Sequence, residues 1–384
     1  MKTCTQQNHL NYKDRINLGS YYTKTPHVDL VWQMIDKQIN NKTTILDNSC
    51  GYGNFFRDDD SYKQIGADID RTAITKAKLQ KLNTEFIHHN SLENVSRKSY
   101  KIKNNTNLCV IGNPPYNDRT SIIRGDIKQQ NTGIDSDIQT RDLGMSFLLS
   151  YKKLDADVVC VLHPLSYLIK QANFKLLKKF TDNYKLKTAE VISSGVFSNS
   201  SKTMQFPIIV AMYVKNDKGT SYDDILNFSF NLSNSAKFKI NDFDYINNYV
   251  QKYPNKLKKY QQDSILFWTI RDINALKRNQ TFVRKYSANT IIVDRKKLDY
   301  YIYIDVFKYF SHHVPYYLGN CNVIINDSLF KKYKKYFILN SLVRHEHLRQ
   351  YFAKFDFSKT DIIKCSNRKI TEYFKILLGV HYVV

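Results

Sequence analysis

Cysteine is sparse and scattered: the six residues Cys4, Cys50, Cys109, Cys160, Cys321 and Cys365 form no Cys-x-x-Cys pair and have no histidine at ligand spacing. This excludes a zinc module and a disulfide-stapled scaffold, and fits a reducing compartment. Long hydrophobic runs are missing too. No stretch of about 18 uncharged apolar residues occurs, and residues 1–20 are polar, without the apolar segment of a signal peptide. The chain is therefore expected to be soluble and cytoplasmic, with no membrane partner and no bound metal. Acidic residues are also few: 35 Asp and Glu face 58 Lys and Arg, a formal charge of +23 with a pI near 9.5. Such an excess points to a polyanionic partner, nucleic acid first.

With 384 residues, 42% of them apolar, the chain can bury a full core and divide into two domains. From Thr44 to about Lys215 short apolar runs alternate with helical stretches, as in a doubly wound α/β sheet. The pattern predicts seven strands: Thr44–Asp47, Gln64–Asp68, Phe86–His88, Leu108–Ile111, Val158–Leu162, Ala189–Ile192 and Ile208–Val214. Helices are expected over Arg71–Leu82, Met145–Lys153 and Asn173–Asp182. No helical segment separates the last two strands, which predicts an antiparallel hairpin at the sheet edge. Beyond Asn216 the alternation breaks down, and 28 Lys and Arg stand against 15 Asp and Glu. A first domain over residues 1–215 and a smaller, basic second domain over 216–384 follow from that change. No internal repeat or low-complexity tract stands out.

The most informative segment is Asn113-Pro114-Pro115-Tyr116, directly after the apolar run Leu108–Gly112. Two consecutive prolines cannot continue a sheet ladder or enter a helix, so the chain must stop there and present the Asn side chain and nearby carbonyls. Acceptors gathered in this way suit an exocyclic amine: gripping its N–H bonds turns the nitrogen lone pair out of the ring. Tyr116 offers a flat face for stacking a base, worth about 1–3 kcal/mol and indifferent to base identity. The 117–144 segment that follows is long, polar and glycine-containing, and is expected to close over a substrate.

Upstream, Ile45-Leu46-Asp47-Asn48-Ser49-Cys50-Gly51-Tyr52-Gly53-Asn54-Phe55 reads as a strand entering a glycine turn. Gly51 and Gly53 allow close approach of backbone to a ligand. Position 56 is Phe where a dinucleotide site needs a third glycine, so the turn suits a ligand without phosphate. Asp68, at the tip of the second strand, is placed to hold a ribose diol, while Asp70 suits a helix cap. Asn90, after the third strand, is either a ligand to an adenine ring or a turn residue.

In this order the elements resemble the gamma class of amino-methyltransferases, the N6-adenine DNA methyltransferases of restriction-modification systems. Gly19-Ser20-Tyr21-Tyr22-Thr23 is similar to that family's N-terminal segment, and the glycine turn, acidic strand tip and Asn-Pro-Pro-Tyr follow in sequence. The resemblance covers roughly residues 15–215. It implies a Rossmann-like, seven-stranded S-adenosylmethionine-dependent methyltransferase domain and a C-terminal target-recognition domain. By residue, it implies that Thr23, Asp47, Cys50, Gly51, Gly53, Asp68 and Asn90 hold S-adenosylmethionine. Asn113, Pro114, Pro115 and Tyr116 would form the reaction centre, and Phe197, after Gly195-Val196, would sandwich the flipped base with Tyr116. Three positions depart from the family: Lys24 follows Thr23 where proline is usual, leaving Thr25-Pro26 as a rival alignment; Asn48 replaces proline; and Asn90 replaces aspartate.

The implied substrate is double-stranded DNA, from which the target adenine must be flipped at a cost of a few kcal/mol. A cognate restriction endonuclease is the implied partner. Basic patches expected to grip phosphates are Lys256–Tyr260, Arg295–Lys297 and Lys331–Tyr336. Asp294-Arg295-Lys296-Lys297 lacks a partner carboxylate at nuclease spacing, so no endonuclease activity is expected. An RNA base methyltransferase, a protein-glutamine methyltransferase and a catalytically inactive DNA-binding subunit are the alternatives.

Overall fold

The computed structural model describes residues 23–80, 82–116, 133–197, 205–353 and 361–384, without the side chains of 361–363. It forms two compact units, Met1–Lys239 and Ile240–Val384.

The first unit is built on one nine-stranded sheet. Its strands are β1 (Thr44–Asp47), β2 (Lys63–Asp68), β3 (Thr84–His88), β4 (Leu108–Gly112), β5 (Val158–Pro164), β6 (Tyr184–Ser193), β7 (Pro207–Lys215), β8 (Phe230–Leu232) and β9 (Lys237–Phe238). The order across the sheet is β3-β2-β1-β4-β5-β7-β6-β8-β9. The five strands β3 to β5 are mutually parallel, and β7 runs antiparallel to both β5 and β6. Every residue of β1, β4 and β5 is buried, as expected of strands covered on both faces. Helix α1 (Thr25–Ile35) packs Val28, Val31, Trp32 and Ile35 onto one face. Helix α2 (Arg71–Lys78) starts where the Asp70 carboxylate accepts from the amides of Thr72 and Ala73.

All seven predicted strands are present, and the hairpin of the last two is antiparallel. The expected edge is not the edge. β6 pairs in parallel with β8, through Glu190↔Asn231 and Val191↔Leu232, and β9 closes that side. Residues 216–239 therefore belong to the first unit, and the boundary lies at Lys239/Ile240 instead of 215/216. The helix expected over Asn173–Asp182 is broken at Leu177 into Gln171–Leu176 and Lys178–Thr181.

In the second unit, helices Leu298–Phe310, Asp327–Arg344 and Asp361–Leu378 accompany a three-stranded antiparallel sheet, Phe282–Val283 / Leu266–Trp268 / Thr290–Ile292. Its core is aromatic: Tyr303 stacks on Phe337, and the Tyr373 ring meets both edge-on. Asp305 is fully buried and accepts from Thr281, Ser341, Arg344 and His345 at 2.6–3.0 Å. Burial alone would lift its carboxyl, but the His345 and Arg344 contacts outweigh it and hold the pKa at about 2. Among the described residues no helix is long and apolar enough to cross a membrane.

Candidate active site

A parallel α/β sheet opens its crevice at the carboxyl ends of its strands, where the strand order reverses. Here the reversal lies between β1 and β4, and the predicted residues collect there in chain order: Asp47 ends β1, Asp68 ends β2, Asn90 follows β3 and Asn113 follows β4.

Gly112 brings the two central strand ends together. It has φ +138°, and a Cβ built on it would lie 2.6 Å from Asp47 Oδ1, so backbone and carboxylate touch without room for a side chain. Asp47 Oδ1 accepts from the Ser49 amide at 3.1 Å, whereas Asp47 Oδ2 has no hydrogen-bond partner among the described residues. Burial lifts the Asp47 carboxyl to about 8; the Ser49 amide opposes that and the Asp68 charge adds to it.

The glycine turn has the geometry its residues require. Gly51 and Gly53 take φ +53° and +82°, and Gly53 N donates to Cys50 O at 2.7 Å. A Cβ on Gly53 would come within 2.9 Å of the Phe86 ring. Cys50 is buried, with its amide on Ala67 O. Asp68 ties the turn to β2: Gly51 N donates to its Oδ2 and Asp70 N to its Oδ1, both at 2.8 Å. Its carboxyl is raised, chiefly by burial, with those two amides opposing.

At the expected reaction centre, Asn113 Nδ2 donates to Thr23 Oγ1 at 3.1 Å, and Asn113 Oδ1 is buried with no partner among the described residues. Thr23 is buried, whereas Thr25 and Pro26 open helix α1 and are exposed. Of the two alignments, the structure puts Thr23 beside Asn113. Tyr116 is half-buried and packs against the hydrophobic cluster that contains Phe197, so the two rings share one neighbourhood. Phe197 is itself buried, with the His27 ring centroid 6.5 Å away.

Asn90 is used locally. Its Nδ2 donates to Gly133 O at 2.8 Å and to Glu93 Oε2 at 3.3 Å, and its Oδ1 accepts from Leu92 N. It therefore anchors the chain where it returns at Gly133. Asn48 is buried, and its side chain lies beside the Tyr100 hydroxyl and Ser91, though its Nδ2 and Oδ1 have no hydrogen-bond partner among the described residues. Gly19 to Tyr22 and residues 117–132 of the long segment after Tyr116 lie outside the described residues.

Sequence reasoning missed a clamp behind Tyr116. The Tyr167 hydroxyl donates to Asp142 Oδ1, which also accepts from Gly144 N at 3.0 Å and so caps helix α3 (Leu143–Lys153). A Cβ on Gly144 would lie 2.5 Å from the Tyr167 hydroxyl and 3.0 Å from Tyr116 Cβ. The only signal in the sequence was the Asp142-Leu143-Gly144 helix start. No group of three or more metal-ligating side chains occurs among the described residues.

A parallel sheet whose order reverses between β1 and β4, with a glycine turn after β1, has the Rossmann-like α/β architecture of methyltransferase domains. Residues 20–197, just under half of the chain, match the family model described as Eco57I restriction-modification methylase. S-adenosylmethionine is accordingly the cofactor. No curated protein sequence matches the chain. Similar solved structures include one described as a modification subunit of a type I restriction enzyme from Vibrio vulnificus, with 15% identity, 57% of this chain and 49% of that one covered, and TM-score 0.39. A dimethyladenosine transferase from Plasmodium falciparum shows 14% identity over 51% of this chain and 62% of that one, with TM-score 0.33. A TehB-like S-adenosylmethionine-dependent methyltransferase from Corynebacterium glutamicum shows 14% identity over 48% and 87%, with TM-score 0.30.

Proposed function

We propose that this chain methylates N6 of adenine in duplex DNA at a short specific sequence, as the modification enzyme of a restriction-modification system. The observation that carries the reading is the buried, unpartnered Asn113 Oδ1 at the end of β4, next to the Gly112–Asp47 contact. An unpaired buried acceptor costs about 1–3 kcal/mol unless a ligand satisfies it. An adenine amino group does so: Asn113 Oδ1 and the Pro114 carbonyl accept its two N–H bonds and leave the lone pair free for in-line attack.

S-adenosylmethionine, when bound, supplies an electrophilic methyl group on a sulfonium. Asp47, Cys50, Gly51 and Gly53 cradle it, and Asp68, whose carboxylate already holds the turn, takes the ribose. Thr23 orients Asn113 through its hydroxyl and faces the methionine end. Tyr116 stacks on the flipped base, with Phe197 in the same hydrophobic neighbourhood. Pro115 keeps the turn rigid. The second unit, residues 240–384, is assigned to DNA recognition on its basic composition.

The test is modification-sensitive sequencing of DNA from a heterologous host expressing the chain. N6-methyladenine at one short motif is expected. Asn113→Ala should lower turnover by about 10²–10³-fold, the scale for one preorganised hydrogen-bonding group in a reaction centre, with DNA affinity nearly unchanged. Near-normal turnover in that variant would show that the centre lies elsewhere. No modified base in DNA would move the assignment to an RNA or protein substrate.

A further inference from the structure

Three basic runs in the second unit are alike in sequence and differ in their surroundings. In two of them cations are paired with carboxylates: Arg295 with Asp263 at 3.3 Å, Lys331 with Asp327 at 2.7 Å and Lys334 with Asp299 at 2.7 Å. The third run differs. Lys256 and Lys259 make no ion pair among the described residues, and neither do Arg284 and Lys285 on a neighbouring segment. Between residues 245 and 290 the only carboxylates are Asp263, engaged by Arg295, and Asp272, which caps a helix through Ala275 N at 2.7 Å.

The same two segments carry an aromatic pair that the core does not need. Tyr260 and Tyr286 stack with ring centroids 4.9 Å apart and planes 20° from parallel, yet they stay 46% and 48% exposed. Leu257 and Tyr253 beside them are exposed as well. Large apolar side chains gathered at the surface mark a contact site more often than chance exposure. The platform is well anchored. Tyr260 lies six residues before the strand Leu266–Trp268, and Tyr286 lies between the two strands that pair with it, Phe282–Val283 and Thr290–Ile292.

We infer that this face, residues 253–260 with 284–286, docks the sugar–phosphate rail of duplex DNA. The unpaired cations take phosphates, and the stacked tyrosines pack against a sugar or base edge. Stacking rings flanked by Lys and Arg side chains that make no ion pair among the described residues are the chemistry of nucleic-acid binding. The inference deepens the DNA reading above and rests on it.

The experiment is fluorescence anisotropy of the full chain with a labelled duplex from about 50 to about 300 mM salt, since each phosphate contact contributes about 0.9 to the log–log salt slope. Lys256→Gln/Lys259→Gln/Lys285→Gln should weaken binding at least about tenfold near 100 mM salt and lower the slope by two to three. Tyr260→Ala/Tyr286→Ala should weaken binding by about five- to a hundredfold with the slope unchanged, and Tyr260→Phe/Tyr286→Phe should retain it. Circular dichroism of each variant checks folding, which these exposed positions should not disturb. Unchanged duplex affinity in both multiple variants overturns the inference, as does a loss confined to binding of anionic phosphatidylserine vesicles. The two readings fail separately. A chain that binds duplex through this face but leaves no methylated adenine refutes the methylation reading alone, and one that methylates DNA with unaltered KM in both variants refutes the docking face alone.

Discussion

Asp47→Asn removes a proton that burial holds in place. In the native chain the Asp47 carboxyl titrates at about 8, against about 3.9 in an unfolded chain. Between those values the unfolded state has released a proton that the native state keeps, so unfolding becomes easier as pH rises, by about 1.4 kcal/mol per unit. Over the whole window this is on the order of 5 kcal/mol. The contribution is present in full below about pH 4 and is lost as pH rises through about 8. Asparagine does not titrate, yet it retains an acceptor for the Ser49 amide and fits the same space against Gly112. The variant should therefore match the wild type in acid and exceed it in stability in mild alkali. Urea unfolding at a series of pH values between about 5 and about 9 measures the difference. Trp32 fluorescence in a Trp268→Phe background confines the signal to the first unit, because Trp32 is buried on α1 with its Nε1 on Phe55 O at 2.8 Å. Other titrating groups cancel between the two proteins. Parallel stability profiles would refute a buried, protonated Asp47.

Gly112→Ala should destabilise the first unit by about 2–4 kcal/mol, combining strain at φ +138° with overpacking against Asp47 Oδ1. The same urea curves read it, and an unchanged midpoint would mean that β1 and β4 do not meet there. In the second unit, Asp305→Asn should cost about 3 kcal/mol or more by leaving Arg344 and His345 without their buried carboxylate. Because the Asp305 carboxyl is held at about 2, its contribution is complete above about pH 4 and is lost as pH falls through about 2. Acid unfolding monitored by Trp268 should consequently begin at higher pH in the variant, and coincident acid transitions would contradict the assignment.

The sheet was readable because its central strands are buried on both faces and so appear as unbroken apolar runs: all seven residues of Val158–Pro164 are buried. The same rule explains the misplaced boundary. Phe230–Leu232 and Lys237–Phe238 are short, and polar residues surround them, so nothing local marks them as strands. They exist because β6 offers an open edge about forty residues earlier, a pairing decided by tertiary context. The change of texture at Asn216 marks the end of regular alternation, not the end of the first unit.

At the candidate site, the positions most legible in the sequence are those set by backbone geometry. Gly51 and Gly53 are demanded by turn geometry, at φ +53° and +82°, and a strand followed by a glycine turn announces them, just as the double proline after Asn113 announces where β4 must end. What it could not show is where side chains spend their hydrogen bonds. Asn90 reads equally well as an adenine ligand or a turn residue until Gly133 is seen to take its amide. Asn48 looks like a lapse from a proline position until it is found facing inward beside Tyr100 and Ser91. Tyr167 and Asp142 stand 25 residues apart and meet only because helix α3 and strand β5 return the chain to the crevice. Departures from a family pattern are thus weak evidence of lost activity. Of the three here, Asn90 has definite partners in the fold, Asn48 is buried beside Tyr100 and Ser91, and Lys24 simply precedes a helix whose first turn contains Pro26.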